Sequence, residues 1–254
     1  MKYNKDTIEL SYVLPVFFDQ SDTNTLLDLL RYYASFSTAV LKRMEFIIVD
    51  DHSSIPVIIP ASINLNYRLF RITDDITWNQ GGARNLGAVH SVQKMILTDC
   101  DHRFPEKLLK IVLASKVPKN TLYTFKRSDA GGKVIIGHRN TFYTSKHVFF
   151  KTLGVDEEFC GHYGCEDIMF RRFADRLGIK LRHLTRREKI FTAEIDRETS
   201  YHSLIRDGEV NRKLVEKKKA LLKTRDYYRA HSNQFLNFRF ELIKQNNFVN
   251  ADPQ

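Results

Sequence analysis

Residues 8–18, IELSYVLPVFF, form an apolar run that reads as a first strand. TNTLLDLLRYYASF follows with apolar residues at helical spacing, Leu26, Leu27, Leu30, Tyr33 and Ala34, and Asp22 or Thr23 stands where a helix cap belongs. MEFIIVDDHSS is a β-rich run stopped by Asp50, Asp51, His52 and two serines. Strand, helix and strand in that order predict a βαβ unit and a parallel sheet. YRLFRIT and KMILTDCD read as further strands, separated by WNQGGARNLGAVHSV, where Gly81-Gly82 opens a helix. FPEKLLKIVLAS predicts a helix with Pro105 at its start. TLYTFKR and KVIIGHRNTFYTS are β-like around the turn DAGG, SKHVFFKTLG is a short helix, and EDIMFRRFADRLG is a helix that stops at Gly178. From about residue 208 a polar, basic helical pattern runs toward the C-terminus. The expectation is an α/β fold: a mostly parallel sheet flanked by helices over residues 1–205, then a basic helical tail, 206–254, packed on it or extending from it.

Composition narrows the setting. The chain has 254 residues, 43% of them hydrophobic, enough for a proper core. No segment approaches the roughly 20 apolar residues that cross a bilayer. The N-terminus MKYNKDTIEL lacks a signal-peptide apolar region, so a cytoplasmic protein is expected. Cys100, Cys160 and Cys165 are odd in number and form no C-x-x-C, which argues against a disulfide framework or a structural zinc. The net charge of +10 asks for an anionic partner. Much of it lies in RRFADRLGIKLRHLTRREK and NRKLVEKKKALLKTRDYYR, runs that are ordinarily solvated helix faces. No nucleic-acid-binding signature accompanies them, so nucleic acid is not an expected partner. The tail also mixes cations with aromatics. One hypothesis is that it rests on an anionic inner membrane leaflet, as a peripheral contact; the plainer alternative is a helix packed on the domain.

The acids fall where ligands bind in open α/β sheets, at the carboxyl ends of strands. Asp50 and Asp51 end one strand, and Asp99 and Asp101 end another. An isolated D-x-D is usually a turn. Two strands ending in Asp beside one crevice point instead to a hard divalent cation, Mg²⁺ or Mn²⁺, holding a diphosphate. Arg84, in NQGGARNLG, is placed to meet phosphate, and glycines there would let backbone N–H groups approach it. Neither a G-x-G-x-x-G nor a P-loop is present. Trp78, the single tryptophan, is a candidate wall for a sugar pocket and equally a candidate core residue. Glu166 and Asp167 open a helix after Gly161 and Gly164; acids suit a first helical turn, but the two glycines also build a loop a substrate can approach, where a carboxylate can act as general base. His202 is a candidate metal ligand; His138, His162 and His183 are weaker ones.

Taken in order, YVLPVFFDQ, FIIVDDHSS, WNQGGARNLGA, ILTDCDH and FYTSKHVFFKTLGVDEEFCGHYGCEDIMFRRFADRLG resemble the GT-A glycosyltransferases, particularly the inverting family 2 type, over roughly residues 10 to 180. The Gly-aromatic-Gly-x-Glu-Asp loop is also similar to that of galactosyl- and N-acetylgalactosaminyltransferases. The resemblance implies a nucleotide-diphospho-sugar donor, UDP-linked, and transfer of a hexose or N-acetylhexosamine to a glycan or lipid-linked acceptor. It implies that Pro15 and Phe17 border the base, that Asp51 with Asp50 binds base or ribose, and that Arg84 contacts the nucleotide-sugar. Asp99 would reach ribose or metal-bound water, Asp101 would ligate Mn²⁺ or Mg²⁺, and His202 would complete the metal site. Asp167 would be the catalytic base, with Glu166 holding donor sugar or acceptor. His162-Tyr163 stands where galactosyltransferase-like loops often carry Trp, so the sugar's identity does not carry over.

Two other readings compete. A sugar-phosphate nucleotidyltransferase would need a Gly-rich basic signature near the N-terminus, which VLPVFFDQSD lacks. A catalytically inactive GT-A-like binding module, or a basic membrane-surface adaptor, would have no use for Asp101 together with Glu166-Asp167.

Overall fold

A computed structural model describes residues 3–249, so residues 1–2 and 250–254 of the two expected ranges lie outside the described residues. The elements, in chain order, are β1 (Leu10–Val16), α1 (Asn24–Ala34), α2 (Thr38–Leu41), β2 (Met44–Asp50), β3 (Tyr67–Ile72), α3 (Gln80–His90), β4 (Lys94–Leu97), β5 (His102–Arg103) and α4 (Glu106–Ala114). There follow β6 (Thr121–Thr124), β7 (Lys126–Ser128), β8 (Val134–Ile135), β9 (Phe142–Ser145), α5 (Lys146–Lys151), α6 (Glu166–Arg176), β10 (Lys180–His183), β11 (Lys189–Thr192), α7 (Glu209–Leu222) and β12 (Phe240–Asn246).

The main sheet has eight strands in the order β10-β6-β9-β4-β1-β2-β3-β12. Pairings β4/β1, β1/β2, β2/β3 and β10/β6 are parallel; β9 runs antiparallel to both of its neighbours and β12 antiparallel to β3. A smaller sheet, β5-β11-β7-β8, lies alongside.

Every residue of β1 and β2 is buried, as expected of central strands covered on both faces. Alternation along β1 divides the core in two. Tyr12 and Leu14 face one layer with Leu26, Leu29 and Leu30 of α1 and Leu108 and Val112 of α4. Val13 faces the other, with Leu86 of α3, Phe149 of α5 and Phe170 of α6. The glycines read as a phosphate-approaching turn are the first turn of α3 instead, and they serve packing. A Cβ on Gly82 would come within 2.3 Å of Asn79 Oδ1, and one on Gly87 within 2.3 Å of Val13 Cγ1. Small residues let this helix press onto the sheet.

The tail departs from the expected helix. Only α7 is helical at length. After a 3-10 turn at Tyr227–Ala230 the chain extends into β12 and closes the β3 edge of the main sheet. The basic pattern hid this strand because FELIKQN shows no clean alternation and every residue but Asn246 is exposed at a sheet edge. Over its described residues, 206–249, the expected helical run is thus a helix, a turn and a strand. Among the described residues no helix is long and apolar enough to cross a membrane.

One buried ion pair closes the amino end of the sheet. Glu45 Oε2 accepts from Arg68 Nη2 at 2.9 Å and from Tyr3 Oη at 2.9 Å, while Oε1 accepts from Ser11 Oγ at 2.7 Å. The Glu45 side chain is fully buried and Arg68 nearly so. Glu45→Ala would strand a buried guanidinium, and urea denaturation should show a loss of about 3–5 kcal/mol.

Candidate active site

Three parallel strands end at one crevice. Val16 of β1 is in register with Asp50 of β2, and Val13 with Leu97 of β4, so Phe17, Asp51 and Asp99 leave the sheet side by side. They open into a cavity of about 570 Å³. Of the residues singled out from sequence, Pro15, Phe17, Asp51, Trp78, Asp99, Asp101, Glu166, Asp167 and His202 all line it.

Asp50 and Arg84 stand behind the cavity wall. Asp50 accepts from Ser53 N at 2.9 Å and from Arg71 Nη1 at 2.5 Å, and so shapes the turn after β2. Arg84 is buried, donates to Asn140 O at 3.0 Å and pairs with Asp99 Oδ1. It orients the carboxylate from below. Gln80 Nε2 reaches the same oxygen at 3.0 Å, and His138 Nδ1 lies 3.2 Å from Asp99 Oδ2. Burial works against the ionised form, but Arg84 first, then His138 and His102, holds the Asp99 carboxyl below its ordinary range.

Asp101 is differently placed. Its Oδ1 is 3.7 Å from His102 Nδ1 and its Oδ2 is 3.8 Å from Arg197 Nη2, too far for hydrogen bonds. Its oxygens are therefore open to a hard cation. His202 Nδ1 is buried without a hydrogen-bond partner. Burial, then the Arg206 charge, pushes its imidazole down to about 4, which leaves it neutral at pH 7, the metal-ligating form. Asp101 and His202 each offer a ligand atom of a kind that suits a divalent cation, but the expected set Asp99, Asp101 and His202 is not the group whose ligand atoms converge among the described residues. Asp99, His102 and His138 converge, with candidate ligand atoms within 4.8 Å of one another. His102 is already engaged: Nδ1 contacts Thr141 Oγ1 at 2.8 Å and Nε2 faces Arg127 Nη1 at 3.1 Å.

His202 rides on a segment strapped across the exit of β1. Gln20 Nε2 donates to Arg197 O at 2.8 Å, Ser203 N to Asp19 Oδ1 at 2.8 Å and Trp78 Nε1 to Ile205 O at 3.1 Å. Trp78 has φ +55°, in the left-handed region that non-glycine residues rarely occupy. That backbone turns its ring onto Tyr163, with centroids 4.7 Å apart, and onto His202 at 4.9 Å. It is a wall of the cavity and not a core residue.

Glu166 and Asp167 begin α6 and line the same cavity. The preceding loop needs glycine at Gly161 (φ +95°) and Gly164 (φ +79°), and Cys165 is also left-handed. One buried amide holds the loop: Asn211 Nδ2 of α7 lies 3.0 Å from Phe159 O, 2.9 Å from His162 O and 2.8 Å from Gly164 O. Burial, then the neighbouring Asp167, raises the Glu166 carboxyl to about 7. Asp51 is raised further, to about 8, by burial and then by Asp50, and its Oδ1 is buried without a partner. An orphaned acceptor in a cavity is a recognition feature for a ligand N–H or O–H.

Sequence reasoning missed Gln80, Arg127, Asn140, Arg197, Arg206, Asn211 and Arg212. Gln80 stands inside WNQGGARNLGA but was not singled out there, and the others sit in no motif. Arg197 and Arg206 flank His202 in RETSYHSLIR, the one local signal that could have found them.

No protein-family model and no curated protein sequence matches this chain. Solved structures do. It superposes on residues 1–349 of Staphylococcus aureus TarS in complex with UDP-GlcNAc at a TM-score of 0.59 and 12% identity, covering 88% of this chain and 69% of that one. It superposes on the catalytic domain of Drosophila β1,4-galactosyltransferase 7 in complex with xylobiose at a TM-score of 0.52 and 12% identity, covering 93% and 87%. A mutant of the latter, in complex with manganese, UDP-Gal and xylobiose, matches at a TM-score of 0.52 and 11% identity, covering 87% and 82%. This chain has the GT-A fold. The α/β sheet flanked by helices, expected from the sequence as mostly parallel, is that fold, with β9 and β12 antiparallel to their neighbours.

The raised Asp51 carboxyl has a measurable consequence. Its folded form prefers the proton, so its burden on stability is absent below about pH 4 and complete above about pH 8. Asp51→Asn should raise the melting temperature at pH 9, by the equivalent of about 1–2 kcal/mol. Melts repeated toward pH 4 should show the gain disappearing.

Proposed function

We propose that this protein is a metal-dependent inverting glycosyltransferase. It moves a hexose or N-acetylhexosamine from a UDP-linked donor to a hydroxyl of a glycan or lipid-linked acceptor. The observation that carries the reading is that two acid pairs, Asp99/Asp101 and Glu166/Asp167, line one cavity. TarS with UDP-GlcNAc and the galactosyltransferase with manganese and UDP-Gal support the donor class on this fold.

The donor enters with its base against Pro15 and Phe17. Asp51 accepts a hydrogen bond from base or ribose, which favours its ionised form, so donor binding near pH 7 releases a proton. Asp101, with His202, would hold Mn²⁺ or Mg²⁺, and Asp99, held by Arg84 and Gln80, would reach ribose or metal-bound water. When bound, the cation supplies positive charge to the diphosphate as it leaves. Trp78 and Tyr163 wall the sugar. Glu166, poised near neutrality, holds a sugar or acceptor hydroxyl, and Asp167 takes the acceptor proton as that oxygen attacks the anomeric carbon from the far side. Departure of the nucleotide diphosphate then leaves inverted configuration, which NMR of the product reads directly.

The basic tail contributes to this reading chiefly by building the site. Val215 and Leu222 of α7 are buried in one cluster with Met169 and Phe173 of α6, so only its charged face remains for a membrane. A peripheral contact with an anionic inner leaflet therefore rests on charge alone.

Calorimetric titration of UDP should show binding that requires Mn²⁺ in the wild type and is weakened at least ~10-fold by Asp101→Ala. Tight binding of another nucleotide would change the donor, and no nucleotide binding would favour a binding module. Asp167→Asn should lower the transfer rate by ~10²–10⁴-fold while leaving UDP affinity unchanged. Equal loss from Glu166→Gln, with Asp167→Asn active, would reassign the base.

A further inference from the structure

A second cavity, of about 400 Å³, lies on the opposite rim of the sheet. It is built from the segment that enters β6 and from β10, the strand paired parallel to it. Because β6 is antiparallel to β9 and β9 to β4, β6 runs parallel to β4. The candidate active site sits at the carboxyl end of β4, and this groove begins at the amino ends of β6 and β10. It is not an extension of the donor cavity.

Its rim carries Lys116, Lys119, Lys180 and Arg182, and no acid is among the residues that line it. None of the four side chains makes an ion pair or a hydrogen bond among the described residues. Some lysines elsewhere on the surface pair with carboxylates, as in Lys107–Glu188, Lys110–Glu106 and Lys213–Glu209. Four uncompensated cations around one concavity repel one another and are best offset by an anion. Arg182 offers a planar fork and the lysines point charges, the combination that binds phosphate. The floor differs from the rim. Tyr123 lies there, stacked on Tyr143 at 5.9 Å, beside Pro118 and Leu184. An aromatic, partly apolar floor under a cationic rim suits a ring with a phosphate attached, and the volume is in the range of small-ligand sites.

We propose that this groove is a second binding site, for a phosphorylated sugar. It is independent of the donor cavity and of the activity assigned to that cavity. The phosphate lies among Lys116, Lys119, Lys180 and Arg182, and the sugar ring lies over Tyr123.

The test is titration of the whole protein with glucose 6-phosphate, inorganic phosphate and glucose, followed by amide NMR shifts. Glucose 6-phosphate should shift residues 116–121 and 180–184, with inorganic phosphate binding more weakly and glucose not at all. Lys180→Ala with Arg182→Ala, both exposed on an edge strand, should weaken glucose 6-phosphate at least ~10-fold and leave Mn²⁺-dependent UDP binding unchanged. Equal affinity for inorganic phosphate and glucose 6-phosphate would reduce the groove to a bare anion site and overturn the assignment. Absence of shifts, shifts confined to residues around Asp99, or binding unchanged in the double variant would also overturn it.

Discussion

Two buried acids in the turn before α6, Asp156 and Glu157, tie three distant parts of the chain together. Asp156 takes Lys218 Nζ at 2.6 Å and Ser232 Oγ at 2.5 Å. Glu157 takes Asn85 Nδ2 at 2.8 Å, Leu236 N at 2.9 Å and Asn237 N at 3.2 Å. Through them the central helix α3, the loop that leads to Glu166-Asp167 and the C-terminal segment become one unit. Burial of two carboxylates is tolerable only because nearly every lone pair is met, several of them by backbone N–H groups from the far end of the chain. Asp156 is held below its ordinary range by His231, Lys218 and Ser232 against the cost of burial. Asn211 extends the same arrangement to the carbonyls of the glycine loop. The tail therefore acts as a brace for the acids of the site.

The cavity itself is an electrostatic compromise. Five carboxylates, Asp51, Asp99, Asp101, Glu166 and Asp167, face a common space. Arg84 secures Asp99 from beneath, and Arg197 lies near Asp101. Asp51 and Glu166 are both pushed up by burial and then by a neighbouring acid, and at Glu166 the Arg84 charge opposes the rise without cancelling it. A site of this kind favours ligands that bring positive charge or hydrogen-bond donors, which a divalent cation and a nucleotide supply together. Arg206 and Arg212 stand at the cavity lining as exposed cations, so the entrance is less acidic than the floor.

Most of the acidic half of the site was legible because strand geometry converts sequence order into position. A parallel strand that ends in Asp presents that Asp at the ligand rim, so Asp51, Asp99 and Asp101 could be read from runs of apolar residues followed by acids. Glu166 and Asp167 were legible as acids at a helix entrance after two glycines. Position within a motif did not distinguish contact from support. Arg84 and Asp50 look functional in the sequence, yet both face inward to brace a wall. The Gly81-Gly82 pair looked like a phosphate loop and is a packing surface, because what matters there is the missing Cβ against Asn79, Phe238 and Val155.

By itself the sequence determined the α/β class, the order of the central strands and helices, and the acids at the strand ends. Each follows from local periodicity or from a residue adjacent in the chain. Only the tertiary structure decided that β12 closes the sheet, that the segment around His202 lies against the exit of β1, and that Asn211 and Lys218 reach back to the loop at 156–165. Those contacts join residues some 50 to 180 positions apart. No local pattern encodes them, since they depend on which buried polar atoms remain to be satisfied once the sheet has formed.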